Sequence, residues 1–389
     1  MKAFNPARLN EARIYRKMTI EELANDIGVK KQSISQFENG IAEPQFENLR
    51  SISNVLGFPI NFFIESDLNK TIIGNTYFRA QFSSKQKDLN SQRIKAKYVA
   101  YIQNCLSEYV DFPSLNIPKF KDLDLNEPDV IESTANQVRD FWGLGREPVS
   151  DMVSLLERNG IIITEFSTEG KTIDAFYQFG EIFGNEYYCI VLGTDKLTFA
   201  RRQFSAAHEL GHIILHERYN DIGELNREEF RLREEQANKF ASAFLLPKEA
   251  FTEDITPYCN KLNAYVEFKR KWKVSVSAMV MRAFDLGIIS PNQSQYLWRQ
   301  ISRSGWKTKE PLDEYLVVKR PKALKQAINM LLLNNYLTPK QIFSLFAKYK
   351  LPLPKDVIDE VINLEPDILP EENDAPIETK IVKLIPRNR

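Results

Sequence analysis

At 389 residues the chain is longer than one small core needs, so two or three domains are the starting expectation. Hydrophobic residues at 43% and charged residues at 27% exclude a wholly disordered or fibrous chain, and 52 basic against 52 acidic residues exclude a globally basic nucleic-acid binder, leaving only a local patch for that role. Cys105, Cys189 and Cys259 are widely separated and odd in number, which argues against a disulfide framework or a thiolate metal site. The opening residues MKAFNPARLNEARIYRK hold no apolar leader and no stretch approaches the roughly 18 apolar residues of a spanning helix, so a cytoplasmic protein without signal peptide or membrane contact is expected.

Residues 7–64 read as a tight series of short helices. Leu9, Ala12 and Ile14 mark the first, and Thr19 with Glu22 forms a capping box for the second, which ends at Gly28. A third helix begins near Lys30, carries Ile34 and Phe37 inward, and stops at Asn39-Gly40. Leu49, Ile52, Val55 and Leu56 make a fourth, and residues 58–64 close the core. Two short helices split by a glycine turn inside such a bundle form a helix-turn-helix pattern. Residues 67–128 read as a helical connector, with one long helix over 86–110 and a proline-punctuated loop after it.

Residues 129–290 read as an α+β domain: helices at 131–142 and 152–158, β-rich runs at 161–166, 173–179 and 187–192, then helices at 204–218, 228–246, 265–272 and 275–286. A helical C-terminal region follows over 291–365, and 366–389 reads as a loose tail. The expected fold class is thus multidomain: an all-α helix-turn-helix bundle at 1–66, the connector, an α+β domain with a small sheet, and a helical C-terminal region.

All three histidines of the chain, His208, His212 and His216, fall within nine residues. His208-Glu209-Leu210-Gly211-His212 is an H-E-x-x-H motif, in which a spacing of four on a helix turns both imidazoles the same way toward one Zn²⁺. Glu209 beside them is placed to take a proton from water as general base. A buried helix whose histidines merely find hydrogen-bond partners is the plainer reading, but two histidines around a glutamate in an otherwise histidine-free chain weigh against it.

Catalytic zinc needs a third protein ligand and one open position. A third histidine six residues on is excluded, because that position is Arg218. The next helix offers Glu234 and Glu235; Ala237, Phe240, Ala241 and Phe244 define its inward face, which favours Glu234 as ligand and turns Glu235 toward solvent. Asn238, four residues on, is expected to orient a histidine. His216 is expected outside the ligand set, behind the ligands, on the substrate side, or as a structural histidine. Tyr177, Tyr187 and Tyr188 are near in sequence, and the pattern does not choose among them as oxyanion donors.

FSAAHELGHIILH at 204–216 together with EEQANKFASAFLLP at 234–247 resembles the ImmA/IrrE family of zinc metallopeptidases, over about residues 130–290. The N-terminal segment is similar to the phage-repressor-like, xenobiotic-response-element type of helix-turn-helix, through Leu23-Ala24, Gly28, Ile34-Ser35, Phe37-Glu38-Asn39-Gly40 and Pro44. The resemblance implies a zincin-like metallopeptidase domain with His208, His212 and Glu234 on zinc and Glu209 as base. It also implies a protein substrate, a repressor in the family's usual logic, and a double-stranded DNA operator as the other partner. A homodimer is among the expected assemblies. The rival expectation is a DNA-binding regulator whose peptidase-like domain senses or binds a partner without proteolysis.

Lys30 stands where such recognition helices usually open with Ser or Thr. The bundle is charge-neutral, with eight basic against eight acidic residues, so binding requires segregation, and Arg13, Arg16, Lys17, Lys30 and Lys31 are expected to cluster around the turn. The expected DNA-binding residues are Lys30, Lys31, Gln32, Ser33 and Gln36, with glutamine suited to adenine. A dimerisation module is the alternative for this bundle. Residues 265–289 offer either a second reader or helices that pack the peptidase core.

Overall fold

The computed structural model describes residues 3–66, 71–78, 86–121, 123–167, 174–194, 198–216 and 225–370. The expected strand start at 173, the helix end at 217–218 and the tail beyond 370 lie outside these described residues.

The N-terminal bundle forms as its capping signals dictate. Asn5 accepts the Ala7 amide at 3.0 Å and opens α1 (Pro6–Tyr15). Thr19 and Glu22 form the reciprocal capping box of α2 (Ile20–Ile27), at 3.1 and 2.6 Å. Gly28, at φ 74°, makes the left-handed turn into α3 (Lys31–Glu38), which Lys30 precedes without a side-chain cap. After α4 (Phe46–Leu56) and α5 (Ile60–Ile64), Leu9, Ala12, Leu23, Ile34, Ile52, Leu56 and Phe62 are fully buried together.

The next segment supplies more than a helix. It holds β1 (Thr71–Phe78) and α6 (Gln86–Leu106). Then come α7 (Val130–Phe141), α8 (Met152–Arg158), β2 (Ile162–Phe166), β3 (Ala175–Ile182) and β4 (Asn185–Gly193). The four strands lie in the order β1-β3-β4-β2, antiparallel except for the parallel β4/β2 pair, which sets Ile163 beside Ile190. The sheet therefore gains an edge strand beyond the three expected. Gly74-Asn75 hides it, since the register shifts between Ile73 and Thr76 and breaks the alternation that marks a strand.

Both faces of the sheet are covered, which explains the unbroken apolar run of β4. Phe176, Tyr187, Cys189 and Val191 face a core made with α6, the N-terminal bundle and the C-terminal helices. Tyr177, Phe179, Tyr188, Ile190 and Leu192 face the opposite core, built on α9 (Phe199–Leu215) and α10 (Arg227–Leu245). That second core continues through α11 (Lys248–Ile255), α12 (Leu262–Trp272), α13 (Val276–Asp285) and α14 (Pro291–Arg303). Glu310 accepts the Val276 and Ser277 amides at 2.7 and 3.0 Å and the Lys269 ammonium at 2.8 Å. With its N-terminus so covered, α13 packs into the second core, as the packing reading of residues 265–289 has it.

The last helices, α15 (Ala323–Leu333), α16 (Pro339–Lys348) and α17 (Lys355–Ile362), turn away from α14 and join the first core through Ile328, Leu331, Phe346, Val357 and Ile358. They hold the N-terminal bundle directly: Arg16 pairs with Asp356 at 2.7 Å, Tyr15 donates its hydroxyl proton to Glu360, and Arg8 donates to the Lys350 carbonyl at 3.2 Å. Leu369 is fully buried in that core, so the packed chain runs past the expected start of the tail at 366. No helix among the described residues is long and apolar enough to cross a membrane.

Candidate metal centre

Thr198 caps α9, five residues earlier than the sequence pattern places its start, and the helix runs buried against the sheet and α10. Gly211, inside the H-E-x-x-H motif, permits the close approach: a Cβ there would lie 3.1 Å from the Ala237 carbonyl oxygen and 3.2 Å from the Ala237 Cα. Asn226 and Glu229 form the capping box of α10, which carries Glu234 to the histidines.

One ligand atom each from His208, His212 and Glu234 lies within 4.8 Å of the other two. The Nε2 atoms of His208 and His212 are 3.0 Å apart, and Glu234 places Oε1 3.1 Å from His212 Nε2 and Oε2 3.5 Å from His208 Nε2. Behind them, His208 Nδ1 meets Asn238 Oδ1 at 2.9 Å, His212 Nδ1 meets His216 Nδ1 at 3.0 Å, and His216 Nε2 meets Gln236 Oε1 at 3.1 Å.

These contacts set the protons. The Asn238 and Gln236 amide oxygens accept, so His208 carries its proton on Nδ1 and His216 on Nε2. Neutral His216 then offers a lone pair at Nδ1, which takes the Nδ1–H of His212. Both Nε2 atoms of His208 and His212 are left with lone pairs that converge on each other and on a carboxylate. In a nearly dry site such a cluster is repulsive unless a cation sits in it, and the donor set suits a metal: two imidazole nitrogens and one oxygen, all deprotonated, with the outer nitrogens hydrogen-bonded.

Burial pushes His212 well below the ordinary imidazole range and His216 down to about 4, so both stay neutral near pH 7. Burial alone would raise the Glu234 carboxyl, but its contact with the two imidazoles outweighs burial and holds it well below the ordinary carboxylate range, so it stays ionised. Glu209, 1% exposed, sits on α9 between the two histidines. Its carboxylate is within electrostatic reach of the Tyr177 hydroxyl, whose pKa is raised by burial and by the neighbouring Tyr188 and Glu209, so the phenol stays protonated.

The structure brings together His208, Glu209, His212, Glu234, Asn238 and His216. Glu235 is exposed and faces Arg231 at 3.6 Å. Sequence reasoning did not assign Gln236, which has no periodic relation to His216 and is joined to it only by the packing of α10 on α9. The tyrosines are now separated: Tyr187 belongs to the opposite face and donates to Gln178 at 3.1 Å, while Tyr177 stacks on His212 with ring centres 6.3 Å apart at 26°.

On the N-terminal bundle, Lys30, Lys31 and Gln32 are exposed, Ser33 and Gln36 are half-buried, and Ile34 and Phe37 point into the core. The expected basic cluster is smaller than its sequence suggests. Arg13 is buried, paired with Glu38 at 2.5 and 2.7 Å; Arg16 is held by the Leu56 carbonyl and Asp356, both at 2.7 Å; and Lys17 pairs with Asp88 at 3.3 Å. Lys30 and Lys31 remain on the surface, Lys31 facing Glu21 at 3.1 Å.

Comparison with known families now places both regions. Residues 156–284 match the IrrE N-terminal-like domain of a peptidase family, a span containing His208, Glu209, His212 and Glu234, and residues 9–63 match a helix-turn-helix domain. No curated protein matches the chain.

Proposed function

We propose that this chain, in which an IrrE-type peptidase domain is joined to a DNA-reading helix-turn-helix, is a zinc-dependent peptidase and transcription regulator of the cytoplasm. The observation that carries the reading is the convergence of the His208 and His212 Nε2 lone pairs on Glu234, with their outer nitrogens fixed by Asn238 and His216. His208, His212 and Glu234 would hold the ion, leaving one position open. Zinc bound there supplies Lewis acidity that polarises a peptide carbonyl and acidifies water.

The chain's own groups supply the rest. Glu209 takes the proton of the attacking water as the carbon–oxygen bond forms, then passes it to the amide nitrogen as the carbon–nitrogen bond breaks. Asn238 and His216 hold the imidazoles in the tautomers that keep Nε2 free. The substrate is a protein, and the family resemblance points to a repressor.

For the reader, at residues 1–66, Gln32 and Gln36 address base edges in the major groove while Lys30, Lys31 and Ser33 contact the backbone or bases of a duplex operator. A homodimer would place two such helices about one helical turn apart.

Incubating the purified full chain with the helix-turn-helix repressors encoded beside it, with mass analysis of fragments, tests this. One zinc per chain and discrete fragments abolished by a chelator and restored by zinc are expected. A chain that retains no zinc, or that leaves every candidate intact when loaded, contradicts the reading.

A further inference from the structure

We propose that Tyr177 is a catalytic residue of the metal centre, its hydroxyl donating a hydrogen bond to the substrate carbonyl oxygen as that oxygen gains negative charge. This rests on the peptidase reading above. Three observations carry it. Alternation along β3 turns Tyr177 to the α9 face of the sheet while Phe176 and Gln178 face α6. Within the core on the α9 side, its ring stacks on the His212 imidazole with centres 6.3 Å apart and planes at 26°, so it borders the ligand cluster. Its hydroxyl is within electrostatic reach of Glu209 and of the Arg233 guanidinium.

Arg233 directly precedes the ligand Glu234, is half-buried, and pairs with no carboxylate among the described residues. A phenol proton within the field of a cation in a dry site is a donor matched to an oxyanion, and such a donor acts more strongly on the transition state than on the ground-state carbonyl. Tyr188, on the same face, packs on Phe179 with ring centres 5.1 Å apart and on Tyr177 at 6.3 Å.

Zinc-loaded full chain, as wild type and Tyr177→Phe, is compared for zinc content, for casein hydrolysis and for binding of the phosphoramidate N-phosphoryl-Leu-Trp, whose anionic oxygens imitate the oxyanion. The phenylalanine variant keeps the ring stacked on His212 and is expected to keep one zinc and an unchanged KM. Its kcat, and its affinity for the phosphoramidate, should fall by about 100-fold. Unchanged kcat, phosphoramidate affinity equal to wild type, or loss of zinc together with activity would overturn the assignment. If zinc-loaded wild type cleaves neither casein nor a neighbouring repressor, the peptidase reading itself fails, and equal phosphoramidate binding by the two proteins would dismiss Tyr177 separately.

Discussion

His212 and His216 meet through their Nδ1 atoms at 3.0 Å, and His216 passes the chain of hydrogen bonds on to Gln236 at 3.1 Å. One helix thus supplies two inner imidazoles and, one turn further, the residue that fixes the tautomer of the second. Replacing His216 with phenylalanine keeps the volume but removes the acceptor for His212 Nδ1–H. Zinc affinity, measured by competition with a chromogenic chelator, should drop about 10–100-fold while secondary structure is retained. Unchanged affinity would show that His216 only fills space.

Gly211 sets the distance between α9 and α10. In an open helix, alanine for glycine gains about 0.5–1 kcal/mol. Here the new methyl would press on the Ala237 backbone at 3.1 Å, and backbone cannot rotate away. Gly211→Ala is therefore expected to lose about 1–3 kcal/mol in urea unfolding and to weaken zinc binding, because the separation of the helices moves Glu234 from the histidines. A more stable variant with wild-type zinc affinity would contradict the packing argument.

Arg13 and Gln32 separate stability from recognition in the DNA reader. Removing Arg13 leaves buried Glu38 without its bidentate partner, so Arg13→Ala should destabilise the bundle by about 3–5 kcal/mol. Gln32→Ala should leave the melting temperature alone and cost about 1–3 kcal/mol in operator affinity, relaxing preference at one base pair. Gel-shift titration and thermal denaturation of both variants check the two directions.

Acid should loosen the junction of α1 with α6. Burial raises the Glu11 carboxyl, but the charges of Lys97 and Arg8 and the Lys97 hydrogen bond at 2.7 Å outweigh it and hold the group below 4.5. A folded pKa below the unfolded one adds stability that is present above about pH 4.5 and is lost as pH falls through the folded value. Glu11→Gln should cost about 1.5–3 kcal/mol near neutrality. The gap between variant and wild type should narrow as pH is lowered toward 3, which urea titrations at several pH values would show.

The grouping of His208, His212 and Glu234 was legible because its signals are local. His208, His212 and Glu209 lie within one turn of helix, and Glu234 and Asn238 share a flank of the next. The start of α2 was legible for the same reason, since the Thr19–Glu22 capping box acts within three residues. What failed depends on distant partners. The basic cluster shrank to Lys30 and Lys31 because Arg13 pairs with Glu38, Arg16 with Asp356 and Lys17 with Asp88. Strand β1 shows its nature only by pairing with β3, and Gln236 and Tyr177 reach the histidines only once α10 and the sheet have packed on α9.

The sharpest test of the central claim is zinc content and repressor cleavage measured side by side for Glu209→Gln and Glu234→Ala. Glu209→Gln should hold one zinc as tightly as wild type and lose cleavage by at least about 100-fold, whereas Glu234→Ala should lose the metal as well. Cleavage at the wild-type rate by Glu209→Gln, or wild-type zinc affinity in Glu234→Ala, would contradict the account.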